Sequence, residues 1–301
     1  MSGALWAVTA GVGFGLFQTV NRRGVRGMDV YLATFVQLAV STGVLAAASL
    51  ATQDVSRLWL APPDALANFA VAGFIHFFIG WTFLNASQKR IGAARTSPLI
   101  GTTPLFAAAI AALTLREIPG LPTLGGIALM VAGVYVVSGW SNGNGDGGGI
   151  PRPAGASKNS SILGLSAAFC WALSPYFIRA GLEELPSPLV GVTVGVAASA
   201  GAYGLVLLWQ RGRWAGKPVA GEAWLFKLIA GVLVGLSTWA RWIALDLAPV
   251  AVVLALSMVS VPLVILLSPF VSGRQVERVT LGLWIGAVLI VVGALTLILL
   301  T

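Results

Sequence analysis

The chain has 301 residues, of which 57% are hydrophobic and only 9% are charged. So few charges cannot cover the surface of a water-soluble globule of this length, so we expect the chain to lie in a lipid bilayer. The net charge of +8 does not indicate nucleic acid, because the basic residues stand in short groups between long apolar runs. The single cysteine, Cys170, excludes an intrachain disulfide and a multi-cysteine metal site.

Ten apolar runs approach the roughly 20 residues that a helix needs to cross a bilayer. They lie at approximately 3–21, 30–51, 65–85, 93–114, 122–140, 160–178, 187–209, 222–245, 249–270 and 279–300. The chain has no Lys or Arg before Arg22, so we expect the first run to remain as a helix and not to be cleaved as a signal peptide. Residues 141–159 are rich in Gly, Asn and Pro, which predicts a flexible linker between residues 1–140 and residues 160–301.

The two halves of the chain repeat each other at a spacing of 157–158 residues. The matched pairs are Trp81 with Trp239, Ala86 with Ala244, Ala93 with Ala251, Pro104 with Pro262, Arg22 with Arg179 and Gly24 with Gly181. Each half has five predicted helices, an odd number, so the second half must enter the membrane from the opposite side. The pattern therefore predicts an all-α polytopic membrane protein with two inverted five-helix repeats around a central cavity. This arrangement is typical of transporters, because two related halves can rock about a shared site.

The stretch from Trp81 to Val137 and its partner from Trp239 to Ile298 share a longer pattern. Each has a helix ending in Ala, a small-residue helix with a mid-membrane Pro, a short charged turn and a Gly-rich final helix. This pattern resembles the EamA-type module of the drug/metabolite transporter superfamily, present twice and covering nearly the whole chain. The second copy departs from the pattern at the turn, where Gln275 stands in the place of Glu117.

The resemblance implies that helices one, three, four, six, eight and nine line a central cavity. The residues that this would place at the cavity are Gln18, His76, Trp81, Thr102, Trp171, Tyr176, Trp239, Arg241 and Ser257.

Basic residues are divided unequally between the two ends of the predicted helices. The side of the first connection holds 14 Lys and Arg residues, including Lys227, and the other side holds 4, including Arg241. Cytoplasmic connections retain basic residues, so we predict a multi-pass protein of the cell membrane with both termini outside. The resembled family is more usually described with both termini in the cytoplasm, so the count and the resemblance disagree. We adopt the count.

Polar residues present in only one of the two repeats are candidates for contacting an asymmetric ligand. His76 corresponds to Val234, Arg241 to Phe83, Gln18 to Pro175 and Asn85 to Ile243. Features kept in both halves, in contrast, are expected to serve the shared scaffold.

His76 is the strongest candidate, because it is the only histidine and stands near the middle of the third run. Gly73 and Gly80 flank it at i−3 and i+4, which predicts a bare helix face that opens onto a cavity. The alternative is a buried neutral imidazole bonded to a carbonyl of a neighbouring helix.

Arg241 lies about one turn before the end of the eighth run, where a long side chain can reach the interface and pair with Asp246. The alternative is a ligand contact, because the neighbouring Ser237, Thr238, Trp239 and Trp242 are types that bind carboxylates and rings.

Trp171 belongs to a second polar interruption, with Ser174, Pro175 and Tyr176, inside the sixth run.

Pro104 and Pro262 occupy equivalent places in the fourth and ninth runs. Because proline has no backbone N–H, each leaves the carbonyl one turn earlier without its usual helical hydrogen bond. Both a structural kink and a gating hinge agree with this placement.

Small residues recur at every fourth position, which predicts close packing of helix backbones. These are Ala7, Gly11 and Gly15 in the first run, Gly191 and Gly195 in the seventh, and Gly282 and Gly286 in the tenth.

We interpret the chain as a secondary transporter of small organic metabolites, namely an exporter of amino acids or related aromatic or amphiphilic compounds. The sequence has no Walker motif, so the chain does not hydrolyse ATP, and we expect no cofactor and no metal. The expected partners are the lipid bilayer and a small metabolite, with no nucleic acid, and we expect a monomer. Proton coupling would depend on His76 alone, and uniport agrees equally with the sequence. The alternatives are a membrane-embedded lipid-modifying enzyme, which one His and scattered acids support poorly, and a non-transporting membrane scaffold.

Overall fold

The computed structural model describes residues 2–53, 61–115, 120–139, 160–210, 219–273 and 279–299, and the predicted linker 141–159 lies outside them. Within this part of the chain every regular element is helical and there are no strands. The elements are α1 (Gly3–Arg26), α2 (Val30–Thr52), α3 (Pro63–Gly73), the π-helix π1 (Phe74–Gly80), α4 (Trp81–Ile91), α5 (Ala93–Ile100), α6 (Thr103–Leu115), α7 (Leu121–Gly139), α8 (Ser160–Glu184), α9 (Pro188–Trp209), α10 (Gly221–Leu247), α11 (Val250–Ser257), α12 (Ser260–Ser272) and α13 (Leu281–Leu299).

Six continuous helical stretches in the described ranges are long and apolar enough to cross a membrane. They are Gly3–Arg26, Val30–Thr52, Pro63–Ile91, Ser161–Glu184, Pro188–Trp209 and Gly221–Leu247. Shorter apolar helices lie at Leu124–Val137, Ser260–Ser272 and Leu281–Thr296. Each of the ten predicted runs coincides with one helix or with consecutive helices. Large apolar side chains such as Leu50, Leu121 and Phe270 are exposed on the outside of the bundle, as a lipid-facing surface requires.

Polar and conformationally special residues set the helix ends. The Asp29 carboxylate accepts a hydrogen bond of 2.8 Å from the backbone N–H of Tyr31 and so caps α2. Proline is the first residue of α3 and of α9, where its missing N–H has no intrahelical partner to lose. Gly92, with φ +90°, makes the abrupt reversal between α4 and α5, a conformation that other residues rarely adopt.

The fourth and ninth runs are each broken into two helices. The break between α5 and α6 falls at Gly101 and Thr102, and the break between α11 and α12 falls at Met258 and Val259, 157 residues later. Pro104 and Pro262 follow the two breaks, so the predicted kinks are confirmed; a gating role stays a prediction. At the first break the Leu99 carbonyl accepts hydrogen bonds from both the hydroxyl and the backbone N–H of Thr102, over 2.6 and 3.2 Å.

The described helices enclose two large hydrophobic clusters and a small one around Val25, Met28, Ala33 and Ala223. Of the two large clusters, the larger is built mainly from α1, α2, α3, π1, α4, α8, α9 and α10, and the other from α5, α7, α12 and α13. Small residues allow close approach between helices: Gly11 lies against Ser257 and Val259, and Gly286 lies against the backbone of Gly133. The predicted close packing at the repeated glycines is therefore confirmed at these positions.

One residue of the charge count was misplaced. Lys227 was grouped with the connections, but it lies on α10 and its side chain is fully buried. Arg241, on the opposite side of the count, is also buried. Without these two cations the partition is 13 against 3, so the predicted direction of the charge bias is unchanged.

Candidate functional site

His76 lies within π1 and is packed against α8. Its Nδ1 is 2.8 Å from the Ser174 hydroxyl oxygen, and its ring stacks on that of Trp171 with centroids 5.3 Å apart and planes at 14°. The indole N–H of Trp171 donates to the His76 carbonyl over 3.3 Å. A π-helix shifts backbone register by one residue and is frequent at functional sites. The sequence pattern does not indicate this π-helix, although its polar residue, His76, has Gly73 and Gly80 on either side.

The two glycines beside His76 do not leave an open face. A Cβ at Gly73 would lie 2.2 Å from the Gly195 carbonyl oxygen, and one at Gly80 would lie 2.7 Å from Trp171 Nε1. Neighbouring helices therefore fill the space that the missing side chains leave. The prediction of a bare face is wrong, and the alternative of a bonded, buried imidazole is nearer to the structure. The partner of the ring is a hydroxyl, not a carbonyl.

Arg241 is buried inside the bundle. Its residue is 6% exposed, and its Nε and Nη2 atoms have no hydrogen-bond partner within the described ranges. Ser237, one turn earlier on α10, lies directly against Gly13, so this face of α10 is turned toward α1. The Arg241 side chain does not extend to the interface and forms no ion pair with Asp246.

Eight further buried side-chain atoms lack partners in the described part of the chain, and two of them belong to residues that the sequence placed at the cavity. These are Gln18 Oε1 on α1 and Trp81 Nε1 on α4, and the adjacent Phe17 ring is 6.4 Å from that of Trp81. Buried polar groups are normally hydrogen-bonded, so a group that stays unpaired in a closed protein is a candidate ligand contact.

The other predicted residues are placed less favourably for a ligand. The Ser257 hydroxyl donates to the Val253 carbonyl of its own helix over 2.6 Å, as Thr102 does to Leu99. Trp239 is partly buried against the main hydrophobic cluster. Tyr176 is 48% exposed, unlike the buried members of the set. Asn85 is fully buried, but its hydrogen bonds belong to a separate cluster.

That separate cluster surrounds Lys227 and was not predicted. We call it the lysine–amide cluster, and its side chains are Asn21, Thr34, Gln37, Asn85, Gln88 and Lys227 from α1, α2, α4 and α10, all fully buried. Lys227 Nζ donates to Asn21 Oδ1 over 2.5 Å and to Gln37 Oε1 over 2.7 Å. Asn21 Nδ2 donates to Asn85 Oδ1 and Gln88 Oε1, each over 2.7 Å. Asn85 Nδ2 in turn donates to Thr34 Oγ1 over 2.9 Å.

The repeat itself held the signal for this cluster. At the spacing of 158 residues that matches Trp81 with Trp239, Lys227 corresponds to Phe69. The two side chains play the same packing role, because Lys227 lies against Gly24 and Phe69 lies against the equivalent Gly181. Comparing polar residues between repeats would have selected Lys227 if it had not been assigned to a connection.

Comparison with known proteins follows the same division into two modules. The profile of the EamA-like transporter family matches residues 1–139 and 159–299. The chain belongs to the EamA-like transporter family. One solved crystal structure of a protein is similar to this EamA-like transporter over 98% of this chain and 96% of that chain, with TM-score 0.65 and 19% identity. At that identity the likeness shows the fold alone. No curated protein matches the sequence.

Membership of the EamA-like family makes the chain a multi-pass membrane transporter of a small molecule, since the family consists of transporters and not of enzymes. A cavity of about 480 Å³ lies at one end of the bundle of this transporter. Its lining includes Arg23, Arg26, Gly27, Glu222, Ala223 and Ser272, from the ends of α1, α10 and α12. Arg23 spans part of it through an ion pair of 2.9 Å with Glu222.

Proposed function

We propose that this EamA-like transporter is a secondary transporter with ten transmembrane helices, arranged as two inverted five-helix repeats that alternate access to a central site. The two family modules and the ten helical runs support this topology. The broken helices at equivalent places of the two modules support it further, since secondary transporters bind substrates where transmembrane helices are interrupted. Pro104 and Pro262, next to the breaks, are the proposed hinges.

The proposed substrate is a small metabolite with a carboxylate and an apolar or aromatic part, such as an amino acid, moved out of the cell. Arg241 carries this proposal. A guanidinium buried in the bundle without a partner for Nε and Nη2 is costly, and a carboxylate provides the bidentate acceptor that offsets the cost. Sites of this kind in membrane proteins mark substrate pathways.

The remaining contacts are proposed around Arg241. Gln18 and Trp81 offer an unpaired acceptor and an unpaired donor, and His76 with Trp171 offers a stacked pair of rings. Thr102 and Ser257 stand at the ends of the broken helices, and Trp239 stands at the margin of the site. We leave Tyr176 outside the site because of its exposure, and we assign Asn85 to the lysine–amide cluster.

Flux of defined compounds into proteoliposomes tests the function. We expect saturable uptake of at least one amino acid, and much weaker uptake of the amine formed by removing its carboxylate. Uptake should need no ATP. Equal, non-saturable permeation of every compound in a metabolite panel, at the level of protein-free vesicles, would contradict the transporter assignment. Saturable uptake that ignores the carboxylate would contradict only the substrate class.

Orientation is tested by labelling the segment between the two modules. We propose that this segment is cytoplasmic, because the side of the first connection carries the greater number of basic residues. A cysteine placed within residues 141–159 of a Cys170→Ser protein should resist a membrane-impermeant maleimide in intact cells and react after permeabilisation. Labelling in intact cells would reverse the proposed orientation.

A further inference from the structure

The lysine–amide cluster has more hydrogen-bond donors than acceptors. Each of its four amide oxygens already accepts a bond from a cluster N–H. Two amide nitrogens, Gln37 Nε2 and Gln88 Nε2, are buried with no partner in the described part of the chain. The Lys227 ammonium has three hydrogens and makes two bonds, so it also has a donor left over.

The surplus is not removed by turning an amide over. Gln37 Oε1 accepts from Lys227, and Gln88 Oε1 accepts from Asn21. Reversing either side chain would set an N–H against an N–H donor, so the bonds already made determine both orientations.

Lys227 is the one ionisable side chain of the cluster, and in its ammonium form it has no counter-charge there. Every side chain in the cluster other than Lys227 is neutral, and Lys227 forms no ion pair with any carboxylate of the described residues. Burying a charge without a counter-charge is expensive, and membrane interiors make it more so. A bound anion would accept hydrogen bonds from the surplus donors and would also balance the positive charge of Lys227.

The cavity at the ends of α1, α10 and α12 lies on the same helix contact as the cluster, one helical turn away. Ala223 lies one turn before Lys227 on α10 and lines the cavity of about 480 Å³. Gly27 packs on Ala223 as Gly24 packs on Lys227, so the cavity lies one turn along the same α1–α10 contact. Arg23 and Arg26 line the cavity and favour the entry of a negatively charged solute.

We propose that the lysine–amide cluster is a binding site for a small monovalent anion, a carboxylate or a halide, held by Lys227 and the unpaired amide nitrogens of Gln37 and Gln88. The site is separate from the one proposed around Arg241. The two cations stand 14 residues apart on α10, about 21 Å along a straight helix. The cluster thus binds an anion at a place whose equivalent in the first module, around Phe69, is filled by packed aromatic rings.

Thermal unfolding of the purified full-length protein tests the site without knowledge of the transported substrate. The 11 tryptophans report unfolding. Tm is measured first in the sodium salt of a bulky sulfonate and then as this salt is replaced by sodium chloride or sodium acetate at constant ionic strength. We expect a saturable rise in Tm, of about 2 °C at ten times the Kd. Lys227→Met keeps the chain packed on Gly24 and should abolish the rise.

Gln37→Glu is the second variant, because it replaces the unpaired amide nitrogen by an oxygen of nearly the same size and supplies the missing negative charge. It should raise Tm in the sulfonate salt and remove the response to added anions. Gln53→Glu makes the same change at an exposed position of the α2 end and should leave the response intact. Arg241→Gln should also leave it intact, which separates this site from the proposed substrate site.

The choice of anion identifies the occupant. Equal responses to chloride and acetate indicate a general small-anion site, whereas a response to acetate and amino acids alone indicates the carboxylate of a substrate. An unchanged Tm of the wild type in every anion would overturn the proposal. A saturable response that persists in Lys227→Met would also overturn it. So would a Gln37→Glu variant that is less stable than the wild type, if Gln53→Glu leaves the stability unchanged.

Discussion

Arg241→Lys is expected to reduce the saturable uptake of amino acids by roughly 10- to 100-fold, although the positive charge is retained. A guanidinium forms two parallel, directional bonds with a carboxylate, and an ammonium forms none in that geometry. Hydrogen bonds to charged groups are worth about 1.5–3 kcal/mol, which sets the size of the loss. The unpaired Nε and Nη2 of the wild-type side chain provide the two donors that this bonding needs.

The matched measurement uses one amino acid and its decarboxylated amine in the same proteoliposomes. The variant should lose uptake of the acid selectively, and Arg241→Gln should lose it at least as severely. Because the residue lies inside the bundle, folded protein must be quantified for each variant before fluxes are compared. If the wild type and Arg241→Lys handle both compounds alike, Arg241 does not belong to the binding site.

Gly73→Ala should lower Tm by about 2–5 °C, since overpacking a tight core costs roughly 1–3 kcal/mol. The added Cβ would lie 2.2 Å from the carbonyl oxygen of Gly195 and 2.5 Å from its Cα and carbonyl carbon. These are backbone atoms, so no side chain can rotate away, and α3 must separate from α9. Gly73 also precedes π1 directly, so the separation would displace His76.

Gly43→Ala is the control, because it is the same change within α2 at a position with nothing within 4 Å of the new atom. In a helix interior this substitution typically stabilises by about 0.5–1 kcal/mol, so Tm should hold or rise slightly. Equal Tm values for the two variants would show that α3 and α9 do not pack as closely as the structure has them.

Lys227 and Arg241 give α10 two buried cations with different surroundings. Lys227 is enclosed by amide oxygens of α1 and α2, while two nitrogen donors of Arg241 have no partner in the described residues. Their counterparts in the first module are Phe69 and Phe83. The two modules therefore differ at these positions, where α10 carries a cation and the matching residue of the first module is a phenylalanine.

The sequence by itself determined the membrane location, the ten apolar runs, the two modules and the broken helices. Each of these depends on local quantities. Hydropathy over about 20 residues decides insertion, a spacing of 157–158 residues reveals duplication, and Pro104 and Pro262 each lack the backbone N–H that would bond a carbonyl one turn earlier. The family resemblance rested on the same patterns and was confirmed.

Only the tertiary structure decided which polar side chains meet. The glycines beside His76 predict open space when one helix is considered alone, but in the bundle Gly195 and Trp171 occupy that space. Lys227, seventh in its helix, resembles an interfacial residue until Asn21 and Gln37 from two other helices supply its acceptors. Burial of a polar group depends on hydrogen-bond partners that are distant in sequence, and a hydropathy pattern does not identify those partners.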